Sequence, residues 1–209
     1  EAEFIFVPAN EVLRKAAELD AVPFDVEGVE LSHDGPLCSF DAILKKYGIE
    51  TVPAIATRGV ILDMVGLTGK NPVPEGTAFN KKEIDAALAR QGNMKITAGD
   101  VVIFRTGWTQ LIGKEDARYG GSEPGLGIEG AKYLASLGVV AVGADTWGLE
   151  VLPFEDPKKI FYVHQILIAQ NGIMILENVT AEEAVKDKVY EGLFTLGPSR
   201  VTGAVQAII

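Results

Sequence analysis

The sequence predicts an α/β fold, because two of its segments pair an amphipathic helix with a run of apolar residues. In the first segment, a predicted helix over 128–137 ends at a glycine and is followed by the apolar run 139–144. In the second, a predicted helix over 160–170 and a glycine precede the run 173–178. Continuous apolar runs are typical of buried parallel strands, so helices are expected to cover a mostly parallel sheet.

Earlier segments add further helices and strands to this prediction. Apolar spacing predicts a helix over 8–19 with Asn10 as its cap, and a second helix over 40–47. The runs 58–66 and 101–106 predict buried strands. Between them, the Asn-Lys-Lys-Glu segment 80–83 opens a helix in the form of a capping box.

The end of the chain predicts short strands over 193–196, 200–203 and 204–209, which we expect to add antiparallel pairs to a mixed sheet. No long polar linker interrupts the sequence, so residues 5–209 are expected to form a single domain. Residues 1–4 have the character of an expression-vector remnant and are left out of this prediction.

Composition excludes several classes of partner. The 209 residues are 47% hydrophobic and 23% charged, which is ordinary for a globular protein, and the net charge is −10. Nucleic acids and anionic membranes are therefore not expected partners, because both require clustered Lys and Arg. The single cysteine, Cys38, allows no intrachain disulfide, so a cytoplasmic and a secreted location both remain open.

Ionisable and aromatic residues stand where the predicted parallel strands end. Trp108 follows one strand, Asp145 and Trp147 follow the next, and Glu177 ends the last. Ligands of open α/β sheets bind beyond the carboxyl ends of the strands, so a shared cleft is expected there. The alternative for the two tryptophans is that they only cap the core, since burial is the usual fate of Trp.

His164 and Glu177 form the pair with the clearest chemical potential. The predicted helix carries His164, and a tight turn joins it to the strand that ends on Glu177. An imidazole and a carboxylate can bind a divalent metal or transfer a proton. A histidine among apolar neighbours is more often structural, whereas a carboxylate ending an apolar strand requires a partner.

Two other patterns support no function. The glycine-rich segment 120–127 lacks the Lys and Ser/Thr of a phosphate-binding loop and is expected to be a lid or a connection. The sequence contains no serine nucleophile elbow, and Cys38 has no basic partner near it in sequence. Covalent catalysis is therefore not supported.

Several motifs together resemble the cyclase family of metal-dependent hydrolases, which includes bacterial kynurenine formamidase and isatin hydrolase. The resemblance covers most of the chain from about residue 40 to 209. The motifs are Thr-Arg-Gly-Val-Ile-Leu-Asp at 57–63, Gly-Asp-Val-Val-Ile-Phe-Arg-Thr-Gly-Trp at 99–108, Gly-Leu-Gly-Ile-Glu-Gly-Ala-Lys-Tyr-Leu at 125–134, Val-Gly-Ala-Asp-Thr-Trp at 142–147, Val-His-Gln-Ile-Leu at 163–167 and Gly-Ile-Met-Ile-Leu-Glu-Asn at 172–178.

This resemblance implies a swivelling β/α/β core, a homodimer or larger homo-oligomer, and hydrolysis of a small amide, imide or lactone. In such hydrolysis a water bound to Zn²⁺ or Mn²⁺ attacks the carbonyl carbon. His164 and Glu177 match the family's C-terminal His and Glu, as metal ligands or catalytic acid and base. Trp108, Asp145 and Trp147 match positions that line or support the substrate pocket.

One family motif is absent from the sequence. The family carries His-x-Gly-Thr-His-x-Asp-x-x-x-His upstream, whereas segment 25–34 is shortened relative to the family. Glu27, Glu30 and His33 could contribute ligands, although their spacing does not reproduce the motif. Two interpretations stay open: either the natural protein carries a metal-binding segment that this sequence lacks, or the chain is a shortened, metal-free relative that binds a small ligand or a partner without catalysis.

Overall fold

The structure is a computed structural model that describes residues 7–23, 26, 29–30, 32 and 54–197. The chain divides into two compact units, of which the larger covers Thr57–Phe194 and the smaller is made of Glu3–Ala56 and Thr195–Ile209. The predicted helix over 40–47, most of segment 25–34 and the last two predicted strands lie outside the described residues. The single-domain assignment therefore stays a prediction.

Within the described residues, the strands form two sheets. Five strands form one sheet in the order β6-β5-β3-β1-β7, and β2 pairs with β4 in a small separate sheet. The pairs β1–β3, β3–β5 and β5–β6 are parallel, whereas β7 is antiparallel to β1, as the sequence predicts for a mixed α/β sheet. The strands are β1 (Ile55–Asp63), β2 (Ala78–Phe79), β3 (Val101–Arg105), β4 (Gly125–Leu126), β5 (Ala141–Ala144), β6 (Met174–Leu176) and β7 (Glu191–Leu196).

Helices connect these strands, as the alternating sequence pattern indicates. α3 begins with the predicted capping box, in which the Asn80 backbone N–H donates to Glu83 Oε2 over 3.1 Å. The helices of the described residues are α1 (Val12–Leu19), α2 (Met64–Thr68), α3 (Lys81–Arg90), α4 (Asp116–Tyr119), α5 (Ile128–Ser136), α6 (Tyr162–His164) and α7 (Glu182–Lys186).

Two expectations near the starts of helices are wrong. Asn10 does not cap α1, because it lies in a 3₁₀ turn, Ala9–Glu11, and Glu11 takes the cap position without a side-chain hydrogen bond. The strand predicted over 58–66 turns into α2 after Asp63. The Asp63 Oδ1 atom accepts the Gly66 N–H at 3.0 Å and so caps that helix.

The segment after α6 departs from ordinary α-helical geometry. Gln165–Gln170 forms a π-helix, so 162–170 is one continuous helical segment whose second part is wider than an α-helix. Ile166 and Leu167 are buried in the core, while Ile168 is half exposed. Because π-helical turns are frequent at functional sites, this geometry directly after His164 bears on the site.

The core lies between the larger sheet and the helices that connect its strands. Val60, Leu62, Val102 and Phe104 of the central strands are fully buried, and apolar residues of α3 and α5 belong to the same cluster. Each buried side chain of this size contributes about 1.5–3 kcal/mol. The core therefore fixes the parallel strands, and with them the edge at which their carboxyl ends meet.

Candidate active site

Charged side chains end four parallel strands at one edge of the sheet. Asp63 ends β1, Arg105 ends β3, and Asp145 and Glu177 directly follow β5 and β6. The parallel pairing aligns these strand ends, as the sequence predicts. Their side chains, however, fall into separate groups.

The first group contains His164 and two carboxylates. The His164 Nδ1 atom lies 3.1 Å from Glu150 Oε1, and its Nε2 atom lies 3.6 Å from Glu177 Oε1. The His164 and Glu177 side chains are 25% and 28% exposed, whereas the Glu150 side chain is 3% exposed. The imidazole thus joins a buried carboxylate to one that solvent can reach, and sequence reasoning predicted two of these three residues.

The two carboxylates set the protonation of His164. Burial lowers its pKa, but the hydrogen bond to Glu150 and the nearby Glu177 carboxylate outweigh burial and raise the pKa to about 9. At neutral pH the ring is therefore an imidazolium that can donate a proton from Nε2. The Phe161 ring packs edge-on against the His164 ring, with their centroids 5.2 Å apart.

Asp145 belongs to a different group. Its Oδ1 atom accepts the Thr106 N–H at 2.8 Å and the Thr106 hydroxyl at 2.5 Å. Its Oδ2 atom accepts the N–H groups of Gly107 at 2.6 Å and Trp108 at 3.2 Å. Burial raises the pKa of Asp145, and these hydrogen bonds oppose the rise. Asp145 thus holds the loop that follows β3, and its assignment to a substrate pocket stays a prediction.

Glu123, which sequence reasoning missed, is the counterpart of Asp145 in the glycine-rich segment. Its two carboxylate oxygens accept the N–H groups of Trp147 and Gly148, each at 3.0 Å. Burial, helped by the charges of Glu177 and Asp145 and opposed by the two N–H groups, raises its pKa to about 8. Residues 123–127 are all buried, so this part of the segment belongs to the protein interior and is not a lid.

The two tryptophans differ in exposure. The Trp108 ring is fully buried, its Nε1–H donates to the backbone oxygen of Tyr119 at 3.2 Å, and the Arg118 guanidinium lies over its face. Trp147 is half-buried, and its buried Nε1 atom has no hydrogen-bond partner among the described residues. Trp108 thus packs like a core residue, whereas the indole N–H of Trp147 is left without a partner in the described part of the chain. Their roles in a pocket remain predictions.

Tyr119 connects this region to the end of β6. Its hydroxyl donates to Asn178 Oδ1, next to Glu177 in sequence. Burial and the negative charges of Glu123, Asp145 and Glu177 raise the pKa of Tyr119. Sequence reasoning gave no reason to select this residue, because Tyr119 and Asn178 lie 59 positions apart.

A metal would have an incomplete set of donors here. Catalytic zinc sites commonly use three protein ligands and leave one position open. His164 Nε2 and Glu177 supply two donors, while His164 Nδ1 already faces Glu150. Within the part of the chain that the structure describes, no group of three or more His, Cys, Asp or Glu residues could hold a metal ion. These residues alone therefore do not fit a metal centre.

Within the described residues, no helix has both the length and the apolar character that a transmembrane span requires.

Comparisons with solved structures agree with this fold. A crystal structure of a novel cyclase aligns with a TM-score of 0.61 and 25% sequence identity, over 72% of this chain and 49% of its own. Isatin hydrolase A from Labrenzia aggregata, bound to benzyl benzoate, aligns with a TM-score of 0.60 and 16% identity, over 77% of this chain and 62% of its own. Isatin hydrolase A from Ralstonia solanacearum aligns with a TM-score of 0.51 and 20% identity, over 62% and 49%.

The chain thus spans about half to three fifths of the length of these structures. None of the curated proteins matches it. The Cyclase family model matches residues 32–151, which is more than half of the 209 residues. The resemblance found in the sequence motifs is therefore confirmed, and the chain belongs to the cyclase family.

Proposed function

We propose that the protein hydrolyses a small amide, imide or lactone of the kind that isatin represents. The observation that carries this proposal is the pairing of His164 with Glu177, the part of the charged edge that solvent can reach. Membership of a family whose solved relatives include isatin hydrolases supports the same reaction class. A small-molecule substrate and a homodimer or larger homo-oligomer follow from the same resemblance.

The pair can perform both proton transfers of hydrolysis. Glu177 accepts a proton from the attacking water, whose oxygen forms a bond to the carbonyl carbon. His164, protonated at neutral pH, then donates its Nε2 proton to the leaving nitrogen or oxygen as the bond to carbon breaks. The proton held by Glu177 returns to His164 across the 3.6 Å between them, which restores both groups. General acid–base catalysis of this kind contributes roughly 10²–10⁴-fold to a rate.

Metal dependence belongs to the same proposal, because the family resemblance implies Zn²⁺ or Mn²⁺. His164 Nε2 could bind a metal only when it carries no proton, so a catalytic metal would need ligands beyond His164 and Glu177. We expect dialysed protein to regain bound metal and hydrolytic activity together when either ion is added, with about one ion per active site. Metal analysis by inductively coupled plasma and parallel assays measure the two quantities.

The test of the activity uses the purified chain with isatin, whose ring opening changes its ultraviolet absorption. We expect turnover by the unchanged protein and a loss of roughly 10²–10⁴-fold in kcat/KM for His164→Gln. Glu183→Gln is the control for a change at the surface, since the Glu183 side chain is 85% exposed and lies outside the group around His164. The proposal is wrong if isatin and a panel of small amides and lactones stay intact, with and without added metal.

A second candidate function is a metal-free protein that binds a small aromatic molecule. The incomplete donor set of the described residues favours it, and the half-buried Trp147 offers an indole N–H without a protein partner in that part of the chain. Calorimetry with isatin separates the two functions. Tight binding without turnover, in protein that retains no metal, supports the binder, whereas turnover supports the hydrolase.

A further inference from the structure

Glu150 is the most buried charged neighbour of His164, and the sequence motifs gave it no role. The residue is 2% exposed. Its backbone is held against β4, where Leu126 and Glu150 form a parallel bridge and the neighbouring N–H of Val151 donates to the Leu126 oxygen at 3.1 Å. The Glu150 carboxylate is therefore presented by fixed backbone and not by a flexible loop.

A close approach of two backbones maintains this position. A side chain at Gly125 would place its Cβ atom 2.3 Å from the Leu149 oxygen, a distance at which the two segments would have to separate. Leu149 itself is fully buried and adopts a left-handed conformation, with φ of 58°. Glycine at 125 and the unusual backbone at 149 together bring Glu150 to the start of α6.

The Glu150 carboxylate has two hydrogen-bonding functions at once. Its Oε2 atom accepts the Val163 N–H at 2.9 Å, and its Oε1 atom faces His164 Nδ1 at 3.1 Å. A carboxylate oxygen accepts hydrogen bonds, so this contact is a hydrogen bond from the ring when the proton is on Nδ1. The second contact of the ring, 3.6 Å from Nε2 to Glu177, is too long for a normal hydrogen bond.

We propose that Glu150 is the positioning residue of the site: it orients the His164 ring through Nδ1–H and so directs Nε2 toward Glu177 and the reacting atoms. The effect on turnover rests on the proposed function, whereas the effect on the ring does not. A buried carboxylate that fixes the tautomer and orientation of a histidine is an established way to keep its other nitrogen available.

The unchanged protein provides the first test. Long-range ¹H–¹⁵N NMR spectra show which ring nitrogen carries the proton, and the chain has only two histidines, so His33→Gln assigns both signals. Above the His164 pKa of about 9, the neutral ring should keep its proton on Nδ1. A neutral ring protonated on Nε2 would overturn the proposal, and this measurement requires no variant at Glu150.

Glu150→Gln is the sharper test, because the amide cannot perform both functions. If its oxygen accepts the Val163 N–H, its NH₂ group faces His164 Nδ1, which must then become an acceptor. We expect the neutral His164 ring of this variant to carry its proton on Nε2. Glu123→Gln is the matched control, a fully buried carboxylate that accepts two backbone N–H groups but makes no hydrogen bond to His164, and it should leave the tautomer unchanged.

Kinetics complete the test. Glu150→Gln should lower kcat at least 100-fold and change KM less than threefold, because the positioned ring acts in the chemical step. A proton that stays on Nδ1 in this variant, or an unchanged kcat in a protein that turns over substrate, contradicts the proposal. If no variant or parent shows turnover but the tautomer reverses, Glu150 positions His164 and the proposed hydrolysis is what fails.

Discussion

Asp145 and Glu177 are both carboxylates that follow an apolar parallel strand at the same edge of the sheet, yet their surroundings differ. Asp145 is 1% exposed and accepts four hydrogen bonds from Thr106, Gly107 and Trp108. Glu177 is 28% exposed along its side chain and faces His164. Position at a strand end therefore does not by itself predict the surroundings of a carboxylate. The hydrogen bonds of Asp145 hold it in place, whereas Glu177 is the carboxylate that the proposed function uses.

The same change at both positions tests this difference, and the largest effect is expected at Glu177. Glu177→Gln removes the group that, in the proposed function, accepts the proton of water, so kcat/KM should fall roughly 10²–10⁴-fold. Because Glu177 is partly exposed, whereas Asp145 is buried and accepts four hydrogen bonds, the free energy of unfolding should change less than it does in Asp145→Asn. Steady-state assays and urea denaturation measure the two quantities. Full activity in Glu177→Gln would remove the chemical role assigned to this strand end.

The reverse pattern is expected for Asp145→Asn. An amide has a single acceptor oxygen, so its NH₂ group would oppose backbone N–H donors in a fully buried loop. The free energy of unfolding should fall by about 2–3 kcal/mol, measured by urea denaturation. Activity, measured at a temperature where the variant is folded, should fall less than it does in Glu177→Gln. A stable Asp145→Asn protein without activity would mean that Asp145 takes part in the reaction and does not only hold the loop after β3.

Glu123 is a third carboxylate of this region, and its smaller expected effect is on how the free energy of unfolding depends on pH. Its pKa is raised from 4.5 to about 8, so the folded state keeps a proton that the unfolded state loses between these values. The resulting stability is complete below about pH 4.5 and is lost as the pH rises toward 8, at no more than about 1.4 kcal/mol per pH unit.

Denaturation of Glu123→Gln across this range should show a flatter dependence on pH than the parent protein. The raised pKa of His164 also makes the free energy of unfolding fall as the pH rises, in this case between its ordinary value of 6.5 and about 9. The contribution of Glu123 is therefore the difference between the slopes of the parent protein and of Glu123→Gln, not the slope of either protein alone. Identical slopes would mean that Glu123 is already ionised in the folded protein at neutral pH.

Much of the fold could be predicted because local patterns determined it. The parallel strands, α5 and the capping box of α3 appeared as apolar periodicity and cap residues, which depend on neighbours in sequence. The π-helix did not, since a period of 3.6 residues predicts an ordinary α-helix over 160–170. Asn10 failed as a cap for a related reason: a 3₁₀ turn takes its place before α1 begins.

The site could be predicted only in part, for a different reason. His164 and Glu177 were evident because each is an ionisable residue beside an apolar segment. Glu150 carries the same signal, since Leu149, Val151 and Leu152 surround it in sequence. Its partner, however, is 14 positions away, and that of Glu123 lies 24 positions away. His164 and Glu177 are also distant in sequence, but they lie on a helix and a strand that the sequence predicts. Glu123 and Glu150 lie outside the predicted helices and strands, so their positions depend on the folded backbone and are not visible in local pattern.

The π-helix that follows His164 has a consequence for how the chain can change by insertion and deletion. A π-helix accommodates an extra residue relative to an α-helix, so removing one residue from Gln165–Gln170 would restore ordinary α-helical winding. Because the wider turns take up the extra residue, the parts of the helix on either side would keep their relative orientation. In an ordinary α-helix the same deletion would rotate the two flanks by about 100° against each other. This segment is therefore expected to tolerate the loss of one residue better than an ordinary α-helix, provided that the buried Ile166 and Leu167 are kept.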